Sequence, residues 1–290
     1  MIQHSELIIN NDSSIFHLHL KPEQISDNII LVGDPERVDI IASNFNKIDF
    51  LVHNREFKTI TGWHKGKKLT VISTGIGTDN IDIVLNELDA LANIDLEKRT
   101  IKKVHKSLNI LRIGTSGGIQ PDLSVNSFVV SQKSIGFDGM LNFYANRESY
   151  CDIAFENSFK LFTNWNKLLF TFYVVNSSEK LRSKFNDDFF INGVTISAPG
   201  FYGPQGRVLR LPLAVPELNK QIEDFRFNHH KITNFEMESL VIYGLSKMFG
   251  HEALTICLII ANRVTLTVNE NYRDEMKKLI ILVLECLTKE

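Results

Sequence analysis

Arg112 interrupts the apolar run Asn109-Ile110-Leu111-Arg112-Ile113, and Gly114, Thr115, Ser116, Gly117 and Gly118 follow it directly. A guanidinium keeps its proton on burial, so an arginine at the end of a buried strand needs an anion or a dense set of acceptors. Two hydroxyls among three glycines read as a loop whose backbone N–H groups can face an oxyanion. The stretch is therefore a candidate phosphate or sulfate cradle, the other reading being a structural arginine beside a tight turn. A second half-site lies upstream. Asn28 to Val32 reads as a buried strand running into Gly33-Asp34-Pro35-Glu36-Arg37. Asp34 then Pro35 predicts a helix start, and a helix N-terminus favours an anion. Arg37 falls in that first turn, where the dipole alone disfavours a cation, so an anion explains it better than a surface pair with Glu36 or Asp39.

Further chemistry sits later in the chain. Pro199 to Arg210 carries three glycines and two prolines, which exclude regular structure over most of its length. Its aromatics, Gln205 and Arg207 could stack a flat ring and read its polar edge. Glu236 and Glu238 fall in a segment, Thr233 to Glu238, that reads as opening a helix ended by Gly250; they either suit the helix dipole or accept from sugar hydroxyls. Gly75-Ile76-Gly77 lacks the third glycine of a dinucleotide fingerprint, so a Rossmann site is rejected. No Ser-His-Asp or Cys-His set and no zinc spacing is evident, so no metal is assigned.

Along the chain, apolar strand-like runs alternate with amphipathic helical ones, and the polar exceptions fall at strand ends. That is the layout of an open α/β sheet that binds ligands at those ends. The reading is a single α/β domain over residues 1–290: a central mixed, twisted sheet flanked by helices. Residues 1–14 read as a loosely held arm, and Phe16 to Leu20 alternates like a strand. Leu96 to Ser107 reads as a basic surface insert. A net charge of −2 gives no global field for nucleic acid, and the longest apolar run is too short to span a bilayer. Three scattered cysteines suggest no disulfide framework, so a cytoplasmic location is expected.

Seven motifs in order then resemble one family: Gly33 to Arg37 (GDPER), Asn54 to Phe57 (NREF), Ser73 to Gly77 (STGIG), Arg112 to Pro121 (RIGTSGGIQP), Phe201 to Arg207 (FYxxQxR), Phe235 to Ser239 (FEMES) and Ala261 to Arg263 (ANR). From about Phe16 to the last helix the chain resembles the hexameric type of nucleoside phosphorylase, its uridine phosphorylase branch most closely. The resemblance implies that Gly33, Arg37, Arg112 and Thr115 hold phosphate, and that Arg55 reaches the phosphate of a neighbouring subunit. It implies His17 at the neighbour's ribose 5′-hydroxyl, and Met237 and Glu238 at the 2′ and 3′ hydroxyls. Phe201, Gln205, Arg207 and Arg263 would contact the base, with Arg112, Gln205, Arg207 and Glu238 carrying the catalysis.

The implied reaction is uridine plus phosphate giving uracil and ribose 1-phosphate, in a homo-oligomer with shared sites and in the end a hexamer. Phosphate is a co-substrate and no organic cofactor is implied. A monovalent cation between subunits near Glu56 and Ile76 is implied, although Asn80 stands where the family has serine. A purine nucleoside phosphorylase is the near rival, but purine enzymes of the family carry an aspartate where this chain has Asn262-Arg263. A non-catalytic nucleoside-binding protein is the other rival, and retention of both phosphate arginines with Glu238 argues against it. The segment Val264 to Tyr272 is shorter than in uridine phosphorylases.

Overall fold

In a computed structural model describing residues 1–289, the buried apolar runs are strands and the amphipathic repeats are helices. Asn28–Val32 (β1) leads into Pro35–Ala42 (α1), and the Asp34 carboxylate accepts from the Glu36 N–H at 2.9 Å as the helix cap. Lys47–Asn54 (β2), Phe57–His64 (β3) and Lys67–Ser73 (β4) follow as an antiparallel meander, then Thr78–Asn93 (α2). The basic insert contains only the short strand Thr100–Ile101 (β6), which pairs with Ile94–Asp95 (β5) just before the insert. Asn109–Gly118 (β7), Phe128–Gly136 (β8), Ile153–Phe162 (α3), Tyr173–Asn176 (β9), Glu179–Arg182 (α4) and Phe190–Ser197 (β10) come next. Leu218–Asp224 (α5), Arg226–Phe227 (β11), His230–Glu236 (β12), Ser239–Phe249 (α6), Glu252–Asn262 (β13), Thr267–Val268 (β14) and Arg273–Thr288 (α7) complete the chain.

The main sheet is mixed. Running outward from β7, the order on one side is β1-β4-β3-β2, and on the other β13-β8-β10-β12-β11. β1 is parallel to β4 and β7, β7 to β13, and β10 to β8 and β12, while β13 runs antiparallel to β8. β12 also pairs back, antiparallel, onto Gly117 and Gly118 of β7. Five strands, β7-β13-β8-β10-β12, therefore close into a ring with β1 to β4 attached as an open wing. Period-two alternation places the helices. Ile29 and Leu31 of β1 face a core with α2 and α6, whereas Ile30 and Val32 face a core with α1 and α7. The phenylalanines of α3, Phe155 and Phe159, pack in a third cluster with Phe225 and Phe235.

Four expectations are corrected. Gly114 to Gly118 is not a loop but continues β7, because β13 stays paired to it as far as Asn262. Thr233 to Glu236 is strand and the helix starts only at Ser239; Ile232, Thr233 and Phe235 suit a pleated, buried surface better than a helix. Phe16 to Leu20 is a compact turn in which the Ile15 N–H donates to the Leu20 carbonyl, and Ile15, Leu18 and Leu20 are all buried. The first residues are held rather than loose. The Ile2 N–H donates to the Arg99 carbonyl at 2.7 Å, Arg99 donates to the Leu7 carbonyl, and Leu7 and Ser14 are buried. No described helix is long and apolar enough to cross a membrane, and all three cysteines are free.

Candidate active site

A cavity of about 760 Å³ opens at the carboxyl ends of β1, β4, β7, β12 and β13, where ligands of open α/β sheets bind. Its lining includes Gly33 and Arg37 from the β1–α1 junction, Arg112 and Thr115 from β7, Phe201, Gln205 and Arg207 from the loop after β10, and Met237 and Glu238 from the β12–α6 junction. A second, apolar cavity of about 400 Å³ beneath the same loop has Trp165, Phe170, Pro204 and Leu213 in its wall and no ionisable side chain, so it has no acid–base chemistry to offer.

Arg112 is 5% exposed and lies between two carboxylates. Its Nη1 is 3.3 Å from Glu236 Oε2, and its Nη2 donates to Glu238 Oε2. The guanidinium folds back over Gly114, where a Cβ would stand 2.0 Å from Nη1, so glycine at 114 is a requirement of this placement. Its Nε–H is buried with no partner. An unsatisfied charged donor in a native interior calls for a ligand or water as explanation. Arg37, 8% exposed, makes a long 3.4 Å contact from Nη1 to the Ile113 carbonyl. Burial and then the neighbouring Arg112 charge pull its pKa down. Two guanidinium groups held close enough to repel one another are a ready acceptor site for a multivalent anion.

Glu236 accepts from the Ser197 hydroxyl at 2.5 Å and from the backbone N–H groups of Glu238 and Ser239 at 2.9 and 3.0 Å, capping α6. Glu238 accepts from the Gly77 N–H at 2.9 Å, at the start of α2. Its carboxyl is pushed up to about 7: burial is the main cause, Arg112 opposes it, and the nearby Glu236 charge adds to it. Two buried carboxylates sharing one arginine leave one of them poorly compensated.

The loop after β10 is built around Arg207. Its guanidinium carbon sits 3.7 Å from the centre of the Phe201 ring, and its Nη1 donates to Gln205 Oε1 at 2.6 Å and to the Phe201 carbonyl. One face of Phe201 is thus taken by Arg207 rather than open to a ligand. With its oxygen engaged, buried Gln205 has its NH₂ to offer. Burial, then the Arg263 charge, pull the Arg207 pKa down to about 10. Arg263 does not line the cavity. It donates to the carbonyls of Gln205 and Gly206, the second at 3.0 Å, and so fixes the loop from behind. Asn262 is spent on structure, donating to Gln120 and Leu123 carbonyls at 2.8 and 2.7 Å and accepting from the Val264 and Thr265 N–H groups.

Besides Arg263, two more expected site residues lie outside this chain's cavity. His17 holds Glu87 Oε1 at 2.6 Å through Nδ1, and its carbonyl accepts from Asn54 Nδ2 at 2.8 Å. Arg55, exposed at the β2–β3 turn with φ +54, has its guanidinium 5.8 Å from the Phe16 ring. The two share one surface patch. Conversely, Tyr272, the residue capping α7, lines the cavity near Arg37. In the sequence it reads only as the first apolar position of the last helix; a tyrosine just before two acidic first-turn residues was the available signal.

A family model described as the phosphorylase superfamily matches residues 27–288. A uridine phosphorylase of Thermococcus kodakarensis is 28% identical over 256 residues, 86% of this chain and 78% of that one. A DeoD-type purine nucleoside phosphorylase of Listeria welshimeri is 27% identical over 277 residues, 94% and 99% of the two chains. Among solved structures, a Trypanosoma brucei nucleoside phosphorylase described as showing uridine phosphorylase activity superposes with a TM-score of 0.84 at 28% identity, covering 97% of this chain and 99% of that one.

Proposed function

The chain belongs to the phosphorylase superfamily, and on that premise we propose that it cleaves uridine with inorganic phosphate, giving uracil and ribose 1-phosphate as a pentosyltransferase. The observation that carries the reading is the convergence of Arg37 and Arg112 on one cavity, with a buried Arg112 Nε–H left for an anion. In this reading Arg37, Arg112, Thr115 and the Gly33 backbone hold phosphate, Glu238 and the Met237 region hold the ribose hydroxyls, and Gln205 and Arg207 face the base. A phosphate oxygen attacks C1′ as the C1′–N1 bond breaks. The bonding pair passes into the pyrimidine ring, and the base later takes a proton from solvent. Two arginines orient the dianion and offset its desolvation. Negative charge grows on the departing base, where the Arg207 guanidinium and the Gln205 NH₂ are prearranged. Donors of this kind are worth roughly 3–4 kcal/mol each.

Uridine and purine nucleoside phosphorylases both occur among the relatives. Asn262 favours the pyrimidine, because an amide already committed to four backbone groups has no proton to give a purine ring. The active unit is a homo-oligomer in which His17 and Arg55 complete a neighbour's cavity; a dimer is its minimum and a hexamer its full form. Glu56 and Asn80 both approach Gly75, and a monovalent cation shared there between chains would bridge them without entering the chemistry. Free cysteines suit a reducing, cytoplasmic setting. The test is the loss of uridine absorbance with and without phosphate, beside inosine. Phosphate-dependent loss with uridine is expected; preference for inosine, or cleavage that ignores phosphate, would overturn the reading.

A further inference from the structure

Away from the cavity, Asp89 of α2, His105 of the basic insert and His251 at the α6–β13 turn each bring a ligand atom within 4.8 Å of the others. His251 is 5% exposed, and its Nε2, 3.4 Å from Asp89 Oδ1, is buried without a hydrogen-bond partner. His105 Nε2 lies 2.7 Å from the Phe249 carbonyl, so it carries the proton and Nδ1 keeps the lone pair. A backbone carbonyl fixing the tautomer in this way is the usual outer partner of a metal-ligating histidine. Asp89 is steadied by Asn93 Nδ2 at 2.7 Å. The rings of His105 and His251 lie 5.8 Å apart at 25°, and Gly250 between them leaves room: a Cβ there would sit 3.1 Å from His105 Cε1.

We propose that Asp89, His105 and His251 form a binding site for a divalent transition-metal ion of the zinc type, which staples the insert to α2 and to the α6–β13 turn. Two imidazoles and a carboxylate suit Zn²⁺, with water as the fourth ligand. Tetrahedral bonds of about 2.0–2.2 Å set ligand atoms about 3.3–3.6 Å apart; His251 Nε2 and Asp89 Oδ1 already meet that spacing at 3.4 Å, and the three atoms, within 4.8 Å of one another, close by no more than about 1.5 Å. The Leu108 N–H now donates to His251 Nδ1 at 3.3 Å. On metal binding the proton moves from Nε2 to Nδ1, which sets two donors, Nδ1–H and the Leu108 N–H, against each other, so that hydrogen bond is lost and the turn shifts to part them. The insert, also tied down by Lys102 and Lys106 to Asn93 and by Arg99 to Ile2 and Leu7, thereby gains a purpose independent of the phosphate cavity.

The experiment uses the full chain stripped with a chelator, then equilibrium dialysis against Zn²⁺ and thermal unfolding with and without the ion. Wild type should take up one Zn²⁺ per chain, reversed by chelator, with Tm raised by roughly 5 °C or more at saturation. His105→Ala, at an exposed position, should fold normally by circular dichroism and bind at least roughly tenfold more weakly. Asp89→Asn should do the same, while the distant His229→Ala should behave as wild type. Equal Zn²⁺ affinity in wild type, His105→Ala and Asp89→Asn, or no Zn²⁺ uptake by wild type, would overturn the site.

Discussion

Glu238 is asked to do two things that pull its proton in opposite directions. In its proposed role as an acceptor for ribose hydroxyls it binds best ionised, yet burial lifts its pKa from 4.5 to about 7. A carboxyl held above its unfolded value favours the fold most below pH 4.5, and that contribution fades as pH rises through about 7. At saturating phosphate, kcat/KM for uridine should therefore climb as pH rises through 7. Glu238→Gln should flatten that limb and lower kcat/KM roughly tenfold to hundredfold. The same variant should gain on wild type in Tm between pH 5 and 8, and a constant gap would discredit the assigned pKa. Arg112→Ala should abolish phosphorolysis and also cost about 3–5 kcal/mol at neutral pH, since it leaves two buried carboxyl groups without their shared cation. Because Arg112 is what pulls the Glu238 pKa down, Glu238 in the variant keeps its proton past pH 7, and the deficit should widen as pH rises above 7; circular dichroism melts at pH 7 and at higher pH check it. The arginines could be singled out in the sequence because a cation in an apolar run is costly. The grip of Glu236 and Glu238 on Arg112 could not, because it joins residues more than 120 positions apart.

At the level of elements, the loop after β10 owes its shape to contacts from outside itself. Arg263, just past the end of β13, holds the Gln205 and Gly206 carbonyls, so the loop carrying the two donors proposed to face the base is set by a residue 58 positions after Gln205. Arg263→Ala should raise KM for uridine roughly tenfold while the KM for phosphate stays near wild type, and initial-rate kinetics over both substrates would separate the two. An equal rise in both would mean that the loop is not held in this way. Capped elements were readable locally: Asp34-Pro35 starts α1 as its residue types require. β12 carries the sequence signal of a helix start, acidic residues before an apolar run, and yet is a strand. Here Glu236 ends a strand and caps the following helix with its side chain. Gly114 to Gly118 looked like a loop because glycine usually marks one, whereas these glycines make space for Arg112 and for strand crossing.

For the whole molecule, His17 and Arg55 lie on a face that this chain's own cavity does not use. Mixing inactive Arg55→Ala chains with inactive Arg207→Ala chains should restore part of the activity once subunits exchange. No recovery after exchange has been demonstrated by mass labelling would rule out shared sites. The α/β class was legible because helix and strand periodicities alternate along the chain. The ring was not, since closing it takes two residue pairs between β12 and β7, Asn234 with Gly118 and Phe235 with Gly117, which leave no mark on local pattern. Those pairs place β7 against three neighbours at once: β1, β13 and β12. In heavy water, amides from Ile110 to Gly118 should thus be among the last to gain deuterium. Mass spectrometry should find them still protonated long after peptides of β2, on the outer edge of the wing, have labelled.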